Sequence, residues 1–561
     1  MRYFGIKLTH DAAVACIEDG ALRFSVELEK VRNAPRYTPA TRLADVLGVL
    51  VEEGVTLTPD DVVCIDGWDG GKLKYPSPHD VAPYHEWDTT ARGRRIGNLE
   101  FVLARGEVAD ALRPAQVIST THVAGHILGA YAMSPFSATR TPANVLVMDG
   151  GVAPRVWRVD PAANSVRHLG SIANLYGTLY GIMGYYAGPY LRRDINDLDP
   201  VVDGPLLGGR DVPGKLMAWI AHGKPNFELM GACYSALAKL PPVEDAYAQD
   251  FGLREHQFMR HIMRHAAVEG ASGADILATI HAFVGIMLVD GAADFTPAGE
   301  PLIFTGGSAL NIKWNSDLRR ARNGSPFFIP PCPNDSGSAI GAACAARAAV
   351  GGAYNLTWSV YSGPQLPVPR VCPPGWLPLP CSPELLGGLL ATRPFVVLHG
   401  RAEIGPRALG HRSILSAPTE GMKDELNRLK GREAWRPVAP IALWTPPVAN
   451  MFHAHAPDPH MLYDHRVNRA ALDVIPAIVH LDGTARLQTV TAEDCPVTAA
   501  ILQSYAAATG RPPILCNTSA NFHGTGFFPD VESALLWGKL DVWADGTLYT
   551  KEKNDDHQFQ I

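Results

Sequence analysis

Two histidines four residues apart, His122 and His126 in "STTHVAGHILGAYAMSPF", are the first residues of this chain whose type and spacing point to chemistry. On a helix that spacing puts both imidazoles on one face, where they either share a metal ion or pack as a pair. Two later carboxylates offer to complete a ligand set. Asp149 ends the apolar run "NVLVMDGGV", and Asp335 sits in "PPCPNDSGSAIGAA" ahead of a small-residue helix. Nitrogen and oxygen donors with coordination positions to spare suit iron, zinc or manganese in a reactive site better than a closed structural zinc. His10 and Asp11 of "GIKLTHDAAVACIEDG" form another candidate, read as a general base beside its partner or as a turn cap.

A different chemistry is written in "HGRAEIGPRALGHRSIL", residues 399–415, where Arg401, Arg407 and Arg412 stand among Gly400, Gly405 and Gly410. Guanidinium groups and accessible backbone amides bind small, dense anions. "LKGREAWRP" adds Lys430 and Arg436, "DGTARLQTV" adds Arg486, and "LCNTSANFHG" adds Asn517 and Ser519. Read as ordinary ion pairs, the same stretches would set Arg401 against Glu403 and Arg432 against Glu433. The net charge is −7 and there are no Lys/Arg blocks, which argues against an extended nucleic-acid surface. The positive charge is focused on a small ligand.

These residues need a scaffold. Apolar runs "MRYFGI", "ACIEDG", "VVCIDG", "AQVIST", "NVLVMDGG" and "PLIFTGG" alternate with helical patterns such as "TRLADVLGVLVEEG" and "ADILATIHAFVGIMLVDGAADF". That is an α/β arrangement, with Asp or Gly-Gly at strand ends, where open α/β sheets place ligands. "FTGGSALNIKWN" sets Gly306, Gly307 and Ser308 between a strand and a helix whose first amides would face a phosphate. Together with the "MDGG" turn, Gly150 and Gly151, they are expected to cradle a nucleotide, and Ser119 or Thr120 is expected to cap the histidine helix.

A chain of 561 residues needs two domains or more. The proline-rich stretch 354–384 reads as a connector that ends where Ser382 and Pro383 start a helix, giving domains 1–353 and 385–561 whose last residues pack back on the first. No internal repeat is legible. The 9 cysteines follow no CxxC spacing, the N-terminus carries no secretory pattern and no run of 18 apolar residues is expected, so the reading is a soluble, cytoplasmic protein. Residues 174–211, rich in tyrosine and then in acids, read as core or as an aromatic surface facing a ligand.

The ordered strings "THDAAVACIEDG", "VELEKVRN", "HVAGH", "MDGG", "GKLM", "TGGSALN", "NDSGSAIGAA", "GRAEIGPRALGHRSIL", "KGREAWRPVAP" and "NTSANFHG" resemble the NodU/CmcH family of O-carbamoyltransferases, which includes the tobramycin carbamoyltransferase. The likeness spans nearly the whole chain. It implies an actin-like ATPase (ASKHA) first domain close to the TsaD protein, and a YrdC-like α/β second domain. It implies ATP with Mg²⁺, and an iron or similar metal on His122, His126 and Asp335 with Asp149 close by. Carbamoyl phosphate would be held by Lys430, Arg436, Arg486, Asn517 and Ser519, the first two also catalytic. Nucleotide contacts would come from Gly150, Gly151, Gly306, Gly307, Ser308, Asn311, Arg401 and Arg407, and His10 with Asp11 would meet the acceptor hydroxyl.

The implied reaction converts carbamoyl phosphate and ATP to carbamoyl-AMP and passes the carbamoyl group to a hydroxyl of a small natural product such as an antibiotic. The implied partners are small molecules, with neither nucleic acid nor membrane, and a homodimer is compatible with the reading. Carbamoyl transfer to tRNA, a kinase and a nucleotide-binding regulator are the alternatives. The acidic balance counts against the first, and the loops of the second domain count against a kinase. Four positions depart from the family pattern: Lys30 in "ELEKVRN", Pro213 for a glutamate, His411 for an asparagine and Ala520 for a phenylalanine. They bear on acceptor choice more than on reaction type.

Overall fold

The computed structural model describes the chain except residues 41, 68–85, 89–94, 106, 193–194, 196–210, 243–251, 370–371 and 552–561. Part of the tyrosine-rich and acidic stretch, and the chain end expected to pack back on the first domain, thus lie outside the described residues. The chain forms two compact units, one of Met1–Leu28 with Tyr37–Val360, the other of Glu29–Arg36 with Tyr361–Ile561. The division falls inside the proline-rich stretch, and eight N-terminal residues, 29–36, belong to the second unit.

Six strands build the first sheet of the first unit: β1 Arg2–Lys7, β2 Ala13–Glu18, β3 Ala21–Glu27, β4 Val62–Asp66, β5 Leu99–Arg105 and β6 Gln116–Thr120. Their order is β3-β2-β1-β4-β6-β5, with short strands Glu86–Asp88 and Arg95–Ile96 beside β5. β1, β2 and β3 run antiparallel, whereas β4 is parallel to β1 and β6 to β4. A second sheet comprises β7 Ala143–Asp149, β8 Val152–Asp160, β9 Ser165–Ser171, β10 Leu302–Thr305 and β11 Phe327–Phe328, in the order β9-β8-β7-β10-β11. Its directions repeat those of the first: two antiparallel pairings, then two parallel ones. The repeat that no sequence pattern betrays therefore exists as topology, because a strand buried on both faces asks only for apolar residues, not for particular ones.

Helix α1, His122–Met133, follows the first sheet in the chain yet packs on β7, β8 and β10 of the second. Helix α3, Ser338–Gly351, follows the second sheet and packs on β1, β2 and β4 of the first. The two helices also touch each other, and glycine permits it: a Cβ on Gly341 would lie 2.2 Å from the Gly125 carbonyl oxygen. The cap of α1 is Thr121, whose side chain accepts from the Ala124 amide, rather than Ser119 or Thr120. Those two lie in β6, where their hydroxyls donate to the Ile65 and Glu100 carbonyls.

Helix α2, Gly273–Phe295, opens on a Ser272/Asp275 capping box. Among the described residues it is the one helix long and apolar enough to cross a membrane, with mean hydropathy 1.8. This corrects the expectation that no such run exists. Two-thirds of the stretch (67%) is buried within the protein, which accounts for its composition.

One mixed sheet organises the second unit: β12 Trp376–Pro380, β13 Phe395–Leu398, β14 Arg412–Ser416, β15 Ala439–Leu443, β16 Gln488–Val490, β17 Ile514–Ser519, β18 Val542–Ala544 and β19 Thr547–Lys551. The order is β12-β19-β18-β13-β14-β17-β15-β16. Alternate residues feed two cores: Val396 and Leu398 join one, Phe395 and Val397 the other. β12 lies within the stretch expected as a connector, and Ser382 caps the following helix as the sequence suggests.

Candidate functional site

In the first unit the crossing of α1 and α3 brings four predicted residues together. His122 Nε2 lies 3.0 Å from His126 Nε2 and 3.1 Å from Asp335 Oδ1, and His126 Nε2 lies 3.4 Å from that oxygen. Asp149 Oδ2, at the end of β7, is 3.9 Å from His122 Nε2. Ligand atoms of all four fall within 4.8 Å of one another. Three lone-pair atoms this close repel unless a proton or a cation sits among them. Metal–ligand bonds of about 2.1 Å give donor–donor edges of roughly 3.0–3.4 Å, so the triangle fits one face of a metal's coordination shell.

Two residues that the sequence reading missed hold this triangle. Asp66, at the end of β4, accepts from His122 Nδ1–H at 2.8 Å, which turns the Nε2 lone pair toward the cluster. The Lys7 ammonium, at the end of β1, lies 3.0 Å from Asp335 Oδ2 and 3.4 Å from Asp66 Oδ2. Burial opposes charge throughout this cluster, yet mutual attraction outweighs it. Asp335 and Asp66 raise the His122 imidazole well above its usual range, and His122, Lys7 and His10 hold Asp335 well below the usual carboxylate range.

His10 and Asp11 lie at the edge of the same cluster. Asp11 adopts a left-handed backbone, φ 57°, a conformation that Asp tolerates better than most residues. His10 Nδ1–H donates to Asp11 Oδ2 at 2.9 Å and is 3.4 Å from Asp335 Oδ2. The Nε2 lone pair is thereby left for another partner.

The glycine turns are put to two uses. Asp149 Oδ1 accepts from the Gly307 amide, and Gly306 has φ 91°, with a Cβ that would lie 2.2 Å from the Met148 carbonyl oxygen. Glycine is required there for the turn to close on β7. Gly150, by contrast, borders open space. Asn311 caps the helix Ile312–Ala321, its side-chain oxygen accepting from the Lys313 and Trp314 amides.

In the second unit the quoted arginine loop is built from inside. Glu403 Oε1 accepts the amides of Leu409, His411 and Arg412 at 2.6, 2.8 and 3.1 Å, so it anchors the loop instead of pairing with Arg401. The buried Arg412 donates to the carbonyls of His399, Gly400 and His411, which makes it a brace and not a ligand donor. The His411 ring stacks on Tyr361 with centroids 3.7 Å apart, and burial pushes its pKa down to about 4. Lys30 donates to the Glu403 and Gly405 carbonyls from the segment 29–36. Two of the four departures thus support this loop.

The remaining predicted residues converge beside it. Lys430 Nζ donates to Asn521 Oδ1 at 2.6 Å and to the Ser519 carbonyl, with Ser519 Oγ at 3.3 Å. Asn517 donates to the Ala408 carbonyl and to Gln488 Oε1, both at 2.9 Å. Arg432 donates to Thr518 Oγ1 at 2.9 Å and to the Pro437 carbonyl, while Glu433 is 3.7 Å from Arg436, so the Arg432–Glu433 pair of the alternative reading is not made.

Burial, then Arg432, Arg36 and Arg436, push the Lys430 ammonium well below the usual lysine range. Burial and Arg436 and Arg36 lower Arg432 to about 9, and Arg486 is pushed down by burial and by Arg407, Arg432 and Arg436. Lys430 is buried and the three arginines half-buried, so like charges are held together with only part of their hydration, at a cost that an anion among them would offset.

The family description "Carbamoyltransferase N-terminus" matches residues 2–344, and "Carbamoyltransferase C-terminus" matches residues 388–541. The chain is 40% identical to Nodulation protein U of Rhizobium tropici, over 99% of this chain and 96% of the relative. It is 30% identical to the 3′-hydroxymethylcephem-O-carbamoyltransferase of Amycolatopsis lactamdurans, over 98% and 99%. Among solved structures, the activator of the 2-hydroxyisocaproyl-CoA dehydratase from Clostridium difficile with bound ADPNP aligns with 62% of this chain and 94% of its own. It does so at 15% identity and a TM-score of 0.31, too slight a likeness to argue from. With both halves matched in order and relatives of this identity along its full length, the chain belongs to the carbamoyltransferase family, alongside Nodulation protein U and the cephem O-carbamoyltransferases.

Proposed function

We propose that this carbamoyltransferase works in two steps, forming carbamoyl-AMP at the cationic site of the second unit and transferring the carbamoyl group at the His/Asp cluster of the first. The cationic cluster of buried Lys430 with the half-buried Arg432, Arg436 and Arg486 carries the reading. In the first step carbamoyl phosphate and water give carbamate and inorganic phosphate. A carbamate oxygen then attacks the α-phosphorus of ATP, and the bond to the departing pyrophosphate breaks. Lys430, Arg436 and Arg486, with Ser519, bind the phosphate and stabilise the charge that develops as these bonds change. Asn517 holds the Ala408 carbonyl and so fixes the loop carrying Arg407.

In the second step the acceptor hydroxyl attacks the carbamoyl carbon of the adenylate and AMP leaves. His10 Nε2 takes the hydroxyl proton, and Asp11 on Nδ1 fixes the tautomer and stabilises the imidazolium. A divalent metal such as iron, held by His122, His126 and Asp335 with Asp149 beside it, would supply positive charge for the nucleotide phosphates. Gly150 and Gly151, with the turn at Gly306 to Ser308, offer backbone amides to the same phosphates. The acceptor is read as a hydroxyl-bearing small molecule, in keeping with the hydroxymethyl group named for the cephem enzymes.

The test is incubation with ATP, Mg²⁺ and carbamoyl phosphate, followed by mass spectrometry. Carbamoyl-AMP, AMP and pyrophosphate should form only when carbamoyl phosphate is present. Ser519→Ala should lose at least about tenfold in this step, while His10→Ala should form the adenylate and fail to transfer it. ADP as the product, or equal loss of both steps in His10→Ala, would refute the reading.

A further inference from the structure

The segment Glu29–Arg36 belongs to the second unit, although chain of the first unit flanks it on both sides. Lys30, buried to 1% exposure, holds the 403–405 loop and lies 4.8 Å over the Phe527 ring. Arg36 holds the loop that follows β17: its backbone amide donates to the Gly524 carbonyl at 3.0 Å, and its Nε–H to the Thr525 carbonyl at 3.2 Å. That loop grips Lys430. Asn521 Oδ1 accepts from Lys430, and Asn521 Nδ2 donates to the same Thr525 carbonyl at 3.0 Å. Arg36 is therefore separated from Lys430 by a single shared asparagine, and its charge reaches both Lys430 and Arg432. Among the described residues, no hydrogen bond or ion pair engages its two Nη groups. A guanidinium fixed through Nε with both Nη groups to spare is a prepared fork for a phosphate.

We propose that Arg36 is a phosphate-binding residue of the second unit's anion site, contributed by the N-terminal segment. This rests on the two-step reading above. The experiment is calorimetric titration of the full-length protein with carbamoyl phosphate and, separately, with a non-hydrolysable ATP analogue and Mg²⁺. The proteins are wild type, Arg36→Gln, Arg36→Lys and Ser519→Ala. Glutamine keeps an N–H for the Thr525 carbonyl and removes the charge.

Arg36→Gln should weaken one of the two ligands by at least about tenfold at an unchanged melting temperature, and Arg36→Lys should recover part of the loss. Which ligand is weakened tells which phosphate Arg36 holds. Wild-type binding by Arg36→Gln, with Ser519→Ala impaired, would overturn the proposal and leave the two-step reading standing. A loss that tracks a lowered melting temperature and is not relieved by lysine would also overturn it, making Arg36 only a staple of the 521–526 loop. If the wild type bound neither ligand and formed no carbamoyl-AMP, the two-step reading itself would fall, and the proposal with it.

Discussion

The two histidines and Asp335 can meet a metal only because other side chains orient them, and Asp66 is the one whose removal should be most informative. It holds His122 Nδ1–H and, with Lys7, sets which nitrogen faces the cluster. Asp66→Asn preserves shape and removes the charge that makes the imidazole a better donor. Metal affinity should fall roughly 10- to 100-fold, read by cobalt titration and by metal content, with circular dichroism unchanged. Unaltered affinity would reduce Asp66 to an ion-pair partner of Lys7. His122 and His126 are legible in sequence because helical geometry couples positions four apart. Asp66 and Lys7 are not, since the partners lie 56 and 59 positions away and nothing local marks them beyond a strand ending in a charged residue. Arg36 is harder still, its Thr525 contact spanning 489 positions.

Among the elements, the approach of α1 to α3 carries the geometry. Gly341→Ala would place a methyl 2.2 Å from the Gly125 carbonyl oxygen, so the helices must part. The cost should be about 1–3 kcal/mol, seen as a lowered melting temperature. The protein should also bind metal less well, because Asp335 enters the cluster from just ahead of α3. Gly388→Ala, inside the helix Pro383–Leu389, where a Cβ meets nothing within 4 Å, is the control and should lower neither the melting temperature nor metal binding. The strands ending at Asp149 and Thr305 and the cap at Ser382 can be read from local pattern alone. The cap of α1 cannot, because Ser119, Thr120 and Thr121 all have the chemistry and only the extent of β6 decides among them. Arg412 likewise matches Arg401 and Arg407 in type, and only its burial marks it as a brace.

At the scale of the whole molecule, the first unit repeats one sheet topology and exchanges the helices that cover it, α1 lying on the second sheet and α3 on the first. Neither half can complete its own layers. A fragment of residues 1–140 expressed alone should therefore lack a cooperative thermal transition, and co-expression with residues 141–561 should restore both the transition and metal binding. A fragment that melted cooperatively by itself would contradict the exchanged packing. The exchange also has a consequence for synthesis. His122 and Asp335 are 213 residues apart in the chain, so at ribosomal speeds of about 5–20 residues per second the histidines emerge roughly 10–40 s before the carboxylate that joins them. For that interval the nascent protein presents two imidazoles without Asp335, and under the proposed metal role selection of the ion would wait until that donor has been made.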